Sequence, residues 1–300
     1  MRASLRLASA FFALIFIASA VFAEDYAIKL TRPDKPGFKY EVARTATLKT
    51  ARSLKEGETL LKSSSSVMTI DFASERTVLE VNDRGGDTKC SYKIARCTVT
   101  TGNAAGELLS VGTEVIASVE DGKKVFRVND AVVSPRVSEV LNEVVSLSRA
   151  QATDDDVFGT AERKKIGETW PINSTLAAAD LSKEGPPVKP EDITGTVKLV
   201  GLAKIGEIPC LEVSADVSLK TTNPPPSMPA FEGFTFSVGS MKASYSGKLP
   251  IDPSLRDSDE SADMAITMVF LGDLPASGGP RQTMEMTRSR GMVGKSEPLN

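Results

Sequence analysis

The sequence predicts a mainly β fold, an antiparallel curved sheet or partly closed barrel built from two β-rich halves, with one principal α-helix between them. Two observations support this prediction. Apolar and polar residues alternate along extended segments of both halves, which is typical of half-buried antiparallel strands. Between the halves, Val137, Val140, Leu141 and Val144 recur at the spacing of one helical face.

The first 23 residues have the features of a secretory signal peptide. Arg2 and Arg6 form a positive N-terminal region, and an apolar core centred on residues 11–17 follows. This core is shorter than the roughly 20 apolar residues that a membrane span needs. Small residues precede a cleavage point between Ala23 and Glu24. We therefore expect a periplasmic or secreted protein that begins at Glu24 and has no stable membrane anchor.

The charge balance gives no electrostatic footprint for nucleic acid. The signal segment holds two of the 36 Lys and Arg residues and none of the 39 Asp and Glu residues, so the mature chain would have 34 against 39, a formal charge of −5. Nucleic-acid-binding domains are instead basic. A hydrophobic content of 41% is typical of a globular protein. We therefore expect no nucleic-acid partner.

The absence of histidine is the most restrictive feature of the composition. It excludes Ser-His and Cys-His nucleophile pairs and every metal site with a histidine ligand. The glycine pairs do not open a helix, as a phosphate-binding loop does. The sequence therefore predicts no catalytic residues, no cofactor and no metal site, and we expect the protein not to be an enzyme.

Three cysteines leave two interpretations open. On one unbroken strand, Cys90 and Cys97 would lie roughly 23 Å apart, too far for a disulfide. A disulfide in an exported protein would therefore join Cys210 to one of them and link the two halves. The alternative is that all three are buried as small hydrophobic side chains.

The first half, 24–133, reads as a meander of antiparallel strands. Met68, Ile70 and Phe72 alternate with polar residues, and residues 82–87 form a hairpin connection. Near residues 95–96 the apolar positions change parity, which predicts a β-bulge. The Asp-Gly pair at 121–122 favours a type I′ turn between two further strands.

The connection, 134–170, contains the predicted helix and a turn. Ser134 can cap the helix, and Pro135 suits its first position. The acidic run at 154–156 favours the start of a short second helix over 157–165. The connection ends at Trp170, the only tryptophan.

The second half, 171–290, resumes the strand pattern after a loop at 180–192. Alternation over 211–219 is the longest in the chain and predicts a half-buried strand. Further strands are expected at 243–251, 263–271 and 282–287. The five predicted segments are the signal peptide (1–23), the N-terminal half (24–133), the helical connection (134–170), the C-terminal half (171–290) and a loose polar tail (291–300).

A proline-rich loop at 223–229 marks the candidate ligand site. Its prolines exclude it from the inside of a sheet, yet Met228, Phe231 and Phe234 are large and apolar. We predict that these side chains close over an apolar ligand, with Trp170 as a further ligand-binding residue. In the alternative, the phenylalanines cap the core and Trp170 plugs one end of it.

The Gly-Glu-Thr-Trp turn at 167–170, with a signal peptide before it and β meanders around it, resembles a class of uncharacterised exported bacterial β-rich proteins. In element order the chain also resembles the periplasmic lipoprotein carriers, which have a curved antiparallel sheet partly closed by helices. This resemblance implies a half-barrel that binds a hydrophobic molecule. The arginine latch of those carriers has no counterpart in this sequence.

These patterns predict an exported, non-enzymatic protein that binds a hydrophobic small molecule or a protein partner of the cell envelope. The competing hypothesis is a structural or adhesive envelope module with no small-molecule site.

Overall fold

The computed structural model describes residues 24–148, 152–184, 187–224, 231–273 and 280–299, which form a mainly β fold as predicted. The strands are β1 (Asp25–Tyr26), β2 (Lys39–Glu56), β3 (Thr59–Val81), β4 (Asp87–Thr101), β5 (Ala104–Glu107), β6 (Glu114–Glu120), β7 (Lys123–Val128), β8 (Ala131–Val132), β9 (Lys164–Lys165), β10 (Thr169–Pro171), β11 (Ile193–Ile205), β12 (Ile208–Thr221), β13 (Phe234–Pro250), β14 (Ser258–Gly272) and β15 (Gln282–Pro298). The helices are α1 (Pro135–Val144), α2 (Asp154–Phe158) and α3 (Ser174–Glu184), and a 3-10 turn covers Pro190–Asp192.

One large antiparallel sheet contains strands from both halves of the chain. Its strand order is β10-β11-β12-β13-β14-β15-β2-β3-β4-β6-β7-β8, with β5 paired to β4, and it does not close on itself. Strands β1 and β9 form a separate two-stranded sheet. The two halves meet where β15 pairs with β2, and all 17 residues of β15 take part in that ladder.

The prediction of a loose tail from Gly291 is wrong for the part of this segment that the structure describes. Residues 291–298 form the end of β15, with Gly291 opposite Thr47 and Pro298 opposite Tyr40. The segment is polar because half of its side chains lie on the solvent face of the sheet. Its order comes from backbone pairing with a strand about 250 residues earlier in the chain, so the segment's own composition does not reveal it.

The register assigns the side chains of the sheet to two different faces. Directly opposed residues in an antiparallel ladder lie on the same face. One continuous row of opposed residues is apolar: Trp170, Val197, Ala215, Tyr245, Ala262, Met292, Ala46, Ile70 and Val99. The neighbouring row on the other face is mostly polar: Thr196, Asp216, Ser244, Asp263, Gly291, Thr47, Thr69 and Thr100. We call the face of the apolar row the inner face.

Two separate cores form on this inner face. The first lies under α1, whose Val140, Leu141 and Val144 are buried against strands β2, β3, β4, β6 and β7. As predicted, Ser134 caps α1, accepting a hydrogen bond from the Val137 amide at 3.4 Å. The second core lies over β10–β13 and includes Ala178 of α3.

The second and third helices differ from the sequence expectation. The aspartates at 154–156 form the first turn of α2, and Thr153 and Asp156 make a capping box ahead of it. Helix α3 was not expected, since residues from Asp180 onward read as a loop. It is alanine-rich, and among its described side chains only Ala178 is strongly buried, so the sequence gives little periodic signal.

All three cysteines are free and buried. Cys90 and Cys97 lie in the first core, where burial raises the pKa of Cys90 to about 12 and that of Cys97 to about 11. The three cysteines are therefore small buried side chains, as in the second interpretation, and they form no disulfide. The predicted bulge is present, because the register between β3 and β4 skips Ala95.

Candidate functional site

The middle of the inner face, between the two cores, is rich in methionine. Most of the nine methionines of the chain lie here, on strands β3, β13, β14 and β15: Met68, Met241, Met264, Met268, Met284, Met286 and Met292. All of them are half-buried. We call this surface the methionine face. It is neither packed like the two cores nor polar like the opposite side of the sheet.

A cavity of about 340 Å³ lies where the methionine face meets the second core. Small side chains, Ala215, Ala243 and Ala262, leave space on the sheet. Larger apolar side chains surround that space: Leu30, Phe158, Val213, Tyr245, Leu249 and Met264. The cavity is therefore a mainly apolar space between β11–β15 and the segment that contains α2.

The ring of Tyr245 lies over Gly247, which has no side chain. A Cβ atom at Gly247 would collide with the Tyr245 hydroxyl, so glycine is needed for the ring to lie in its place. Burial raises the pKa of Tyr245 well above its usual value, and the phenol therefore stays neutral. The ring thus contributes an uncharged wall to this cavity.

Charged groups line the same cavity beside its apolar walls. Asp154, Glu260 and Arg290 take part in its lining. Asp154 is exposed at the rim of this cavity, where partial loss of water raises its pKa and the negative charges of Asp155 and Glu260 act in the same direction. The Glu260 carboxylate lies 3.7 Å from the Arg44 guanidinium. This cavity therefore combines an apolar interior with acidic groups.

A second cavity of about 560 Å³ lies beside the first core and differs in charge. Leu48, Met68, Met268 and Met286 line it, together with three exposed arginines: Arg52, Arg136 and Arg288. None of the described residues that line it is acidic. It therefore pairs an apolar surface with positive charge.

Helix α1 is tied to the edge of the methionine face by ion pairs. Glu143 contacts the guanidinium groups of Arg288 and Arg290 on β15. Arg44 on β2 donates to the carbonyl of Val144 at 2.6 Å. Arginines of the inner face thus hold the C-terminal end of α1 over the sheet, and that end separates the first core from the methionine face.

The predicted ligand-binding residues lie in different places. Phe231 packs edge-on against Phe270, with ring centroids 5.0 Å apart, and Phe236 joins the same group at 5.8 Å. Phe234 lies opposite Gly272 at the same end of the sheet. Met228 lies outside the described residues. The role of these side chains in binding stays a prediction, but the described phenylalanines do lie at one end of the methionine face.

Trp170 lies in the second core, away from this phenylalanine group. Its side chain is 5% exposed, and its Nε1 donates to the Phe158 carbonyl at 2.8 Å. The preceding turn begins at Gly167, which has a φ of +90°. Trp170 does not line either of the two inner-face cavities, and its contacts are those of a core residue.

Sequence reasoning missed the methionines and arginines of the two cavities. A local signal existed for part of the set, since Met264, Ile266 and Met268 alternate on β14 and Met284 and Met286 on β15. The arginines gave no such signal. Arg52, Arg136 and Arg288 come together only through the pairing of β2 with β15 and the docking of α1.

Comparisons with known proteins give only distant likenesses. No family model matches the chain, and no curated protein does. Among solved structures, one described as "lipid-protein interactions in lipovitellin" is 11% identical with a TM-score of 0.30, and the alignment covers 89% of this chain and 26% of that one. The outer membrane protein OprG from Pseudomonas aeruginosa is 8% identical with a TM-score of 0.18, covering 90% of this chain and 99% of that one.

The chain thus spans about a quarter of the lipovitellin chain that it matches. These are likenesses between β-rich folds, and at such TM-scores they carry no argument about function. Within the described residues, no helix is both long enough and apolar enough to cross a membrane.

Proposed function

We propose that this chain is an exported, non-enzymatic β-rich protein that holds an apolar, flexible ligand on its methionine face. The observation that carries the proposal is the half-buried state of this face between two packed cores. A sheet normally buries its apolar face against another layer of structure. Here α1 covers one flank and the α2–α3 segment covers the other, and no helix among the described residues covers the methionines between them in the same way.

Methionine suits a surface that receives ligands of variable shape. Its side chain is unbranched, has three rotatable bonds and carries a polarizable sulfur atom. The volumes of the two cavities, about 340 and 560 Å³, fall within the range of about 300–1,000 Å³ that is typical of small-molecule sites. The volumes allow a small molecule to bind, and the flexible apolar lining favours a lipid-like ligand over a compact polar one.

Export and the absence of catalysis belong to the same proposal. The signal-like segment ends at Ala23, and N-terminal sequencing of the exported protein should give Glu24 as its first residue. With no histidine in the chain, proton transfer would fall to carboxylate, lysine or tyrosine side chains. The acidic groups of the smaller cavity adjoin apolar walls and Arg290, an arrangement that suits ligand orientation.

Binding of the neutral dye Nile red, followed by its fluorescence, tests this proposal. The purified protein should bind the dye saturably. The paired substitutions Met268→Gln and Met286→Gln should weaken binding about tenfold, because both replace apolar contact area with an amide of similar size. These residues oppose each other on β14 and β15. Both side chains are half-buried, so we expect the paired substitution to weaken binding without a large loss of stability.

The matched control uses an opposed pair on the other face that lines neither cavity, Ser240→Gln with Thr267→Gln. This variant should bind the dye as the unmodified protein does. Equal loss in both variants, or no saturable binding in the unmodified protein, would contradict the proposal. The second result would favour the alternative of a structural or adhesive envelope module with no small-molecule site.

A further inference from the structure

The larger cavity differs from the smaller one in having positive charge without acidic lining groups. Arg52 and Arg136 make no ion pair with any described residue, and Arg288 is only partly engaged, through Glu143. The three guanidinium groups come from β2, α1 and β15, and all line the same cavity as Met268 and Met286. Three cations beside an apolar surface are complementary to a ligand that has a negative head and an apolar tail.

We infer that the ligand is a lipid with an anionic headgroup, whose head is bound by Arg52, Arg136 and Arg288 and whose acyl chain lies along the methionine face. This inference rests on the proposed function and adds the chemistry of the headgroup. Guanidinium groups bind carboxylate and phosphate oxygens through paired N–H donors, so they suit either kind of anionic head.

The dimensions of the face agree with an acyl chain. Along β14, the inner-face positions from Met268 to Ala262 span six residues, about 20 Å at the usual strand rise. The hydrocarbon half-thickness of a bilayer is about 15 Å, so one extended acyl chain fits on this surface. It would run from the arginine-lined cavity past Ile266 and Met264 to the apolar walls of the smaller cavity.

Displacement of bound Nile red by oleate and by oleyl alcohol tests the inference, because the two ligands share a tail and differ in head charge. Oleate should displace the dye from the unmodified protein at roughly tenfold lower concentration, a difference of about 1.4 kcal/mol. In the variant Arg52→Gln with Arg136→Gln, this preference should fall to about threefold or less. The ratio of the two displacing concentrations is compared within each variant, so any change in affinity for the dye itself cancels.

Two further variants separate a headgroup site from a general effect of charge. Arg52→Lys with Arg136→Lys should retain part of the preference, because it keeps the charge and loses the planar fork. Lys49→Gln with Lys242→Gln removes two positive charges from the opposite face and should retain all of it. Both arginine sites are exposed, so these substitutions are compatible with folding.

The outcomes distinguish failure of the inference from failure of the proposed function. Saturable dye binding with equal displacement by oleate and oleyl alcohol would overturn the anionic headgroup and leave an apolar ligand site. Dye binding that neither lipid displaces would also overturn the inference, and it would indicate another occupant, such as a protein partner. Absence of dye binding would overturn the proposed function itself.

Discussion

Arg76 on β3 is a largely buried cation, with its side chain 16% exposed, that lies between two carboxylates. Its guanidinium lies 2.9 Å from Asp34 and 2.8 Å from Asp87, and it sits over the Tyr40 ring at 5.2 Å. Burial raises the pKa of Asp87, while the charge of Arg76 opposes that rise. Each charge in this group is therefore tolerated in the protein because the others are present.

We predict that Arg76→Met lowers the free energy of unfolding by about 3–5 kcal/mol at pH 7.5, measured by urea denaturation. The substitution leaves Asp34 and Asp87 without their cation. The surface variant Arg84→Met, which breaks an exposed pair with Asp156, should cost less than about 1 kcal/mol.

The loss in free energy of unfolding caused by Arg76→Met should be smaller at pH 5 than at pH 7.5. The pKa of Asp87 is already raised in the folded protein, so the folded state binds this proton more readily than the unfolded state does. Removing Arg76 raises the pKa of Asp87 further. Lower pH therefore favours the folded variant. A deficit that is equal at pH 5 and pH 7.5 would show that lost packing, and not unpaired charge, causes the effect.

At the level of single residues, the sequence predicted which side chains are buried better than it predicted which side chains contact each other. The spacing of Cys90 and Cys97 excluded a bridge between them, but Cys210 could be judged only from the tertiary structure. Trp170 was expected either to line a ligand site or to plug the core, and its hydrogen bond to Phe158 belongs to the core. The ion pairs of Arg76 join residues that are far apart in the chain, and no local pattern indicates them.

At the level of elements, the successful predictions are those that rest on local periodicity. The apolar stripe of α1 and the parity change near Ala95 both lie within a few residues of sequence. The strand over 291–298 and helix α3 were missed because the first depends on pairing with β2 and the second buries little. Where tertiary context decides the element, composition gives the wrong answer.

Docking of α1 can be tested with Val140→Asp. Val140 is 3% exposed, so the new carboxylate would be buried without a partner and should lower the free energy of unfolding by roughly 3 kcal/mol or more. Glu139→Ala, an exposed change on the same helix, should stay within about 0.5 kcal/mol. Thermal unfolding followed by circular dichroism measures both. Similar stability for the two variants would mean that α1 is not docked on the sheet.

At the level of the whole molecule, the methionine face exists only through long-range register. The sequence predicted most of the strands, but not that β15 returns to pair with β2. That pairing places Met292 beside Ala46 and Met286 beside Arg52, and so brings the two cavities onto one surface. A candidate site built from such pairing has no sequence motif, because its residues share a face only in the folded sheet.

The same ladder should make the two halves unfold as one unit. Trp170 emission reports on the second core, and thiol labelling of Cys90 and Cys97 in a Cys210→Ala variant reports on the first. If the β15–β2 ladder couples the cores, both signals should change at the same urea concentration. Buried thiols with raised pKa values react slowly in the folded state, so their labelling marks unfolding.

A chain that ends at Arg290 tests whether this ladder is the cause. The shortened chain loses every β15–β2 pair from Gly291–Thr47 to Pro298–Tyr40, whereas a control chain that ends at Pro298 keeps them all. We expect the control to unfold in one transition. The shortened chain should unfold at lower urea, with the thiol signal changing first, because β2 loses a neighbour on the side of the first core. Unchanged, coincident transitions in the shortened chain would show that coupling between the cores does not require residues 291–298.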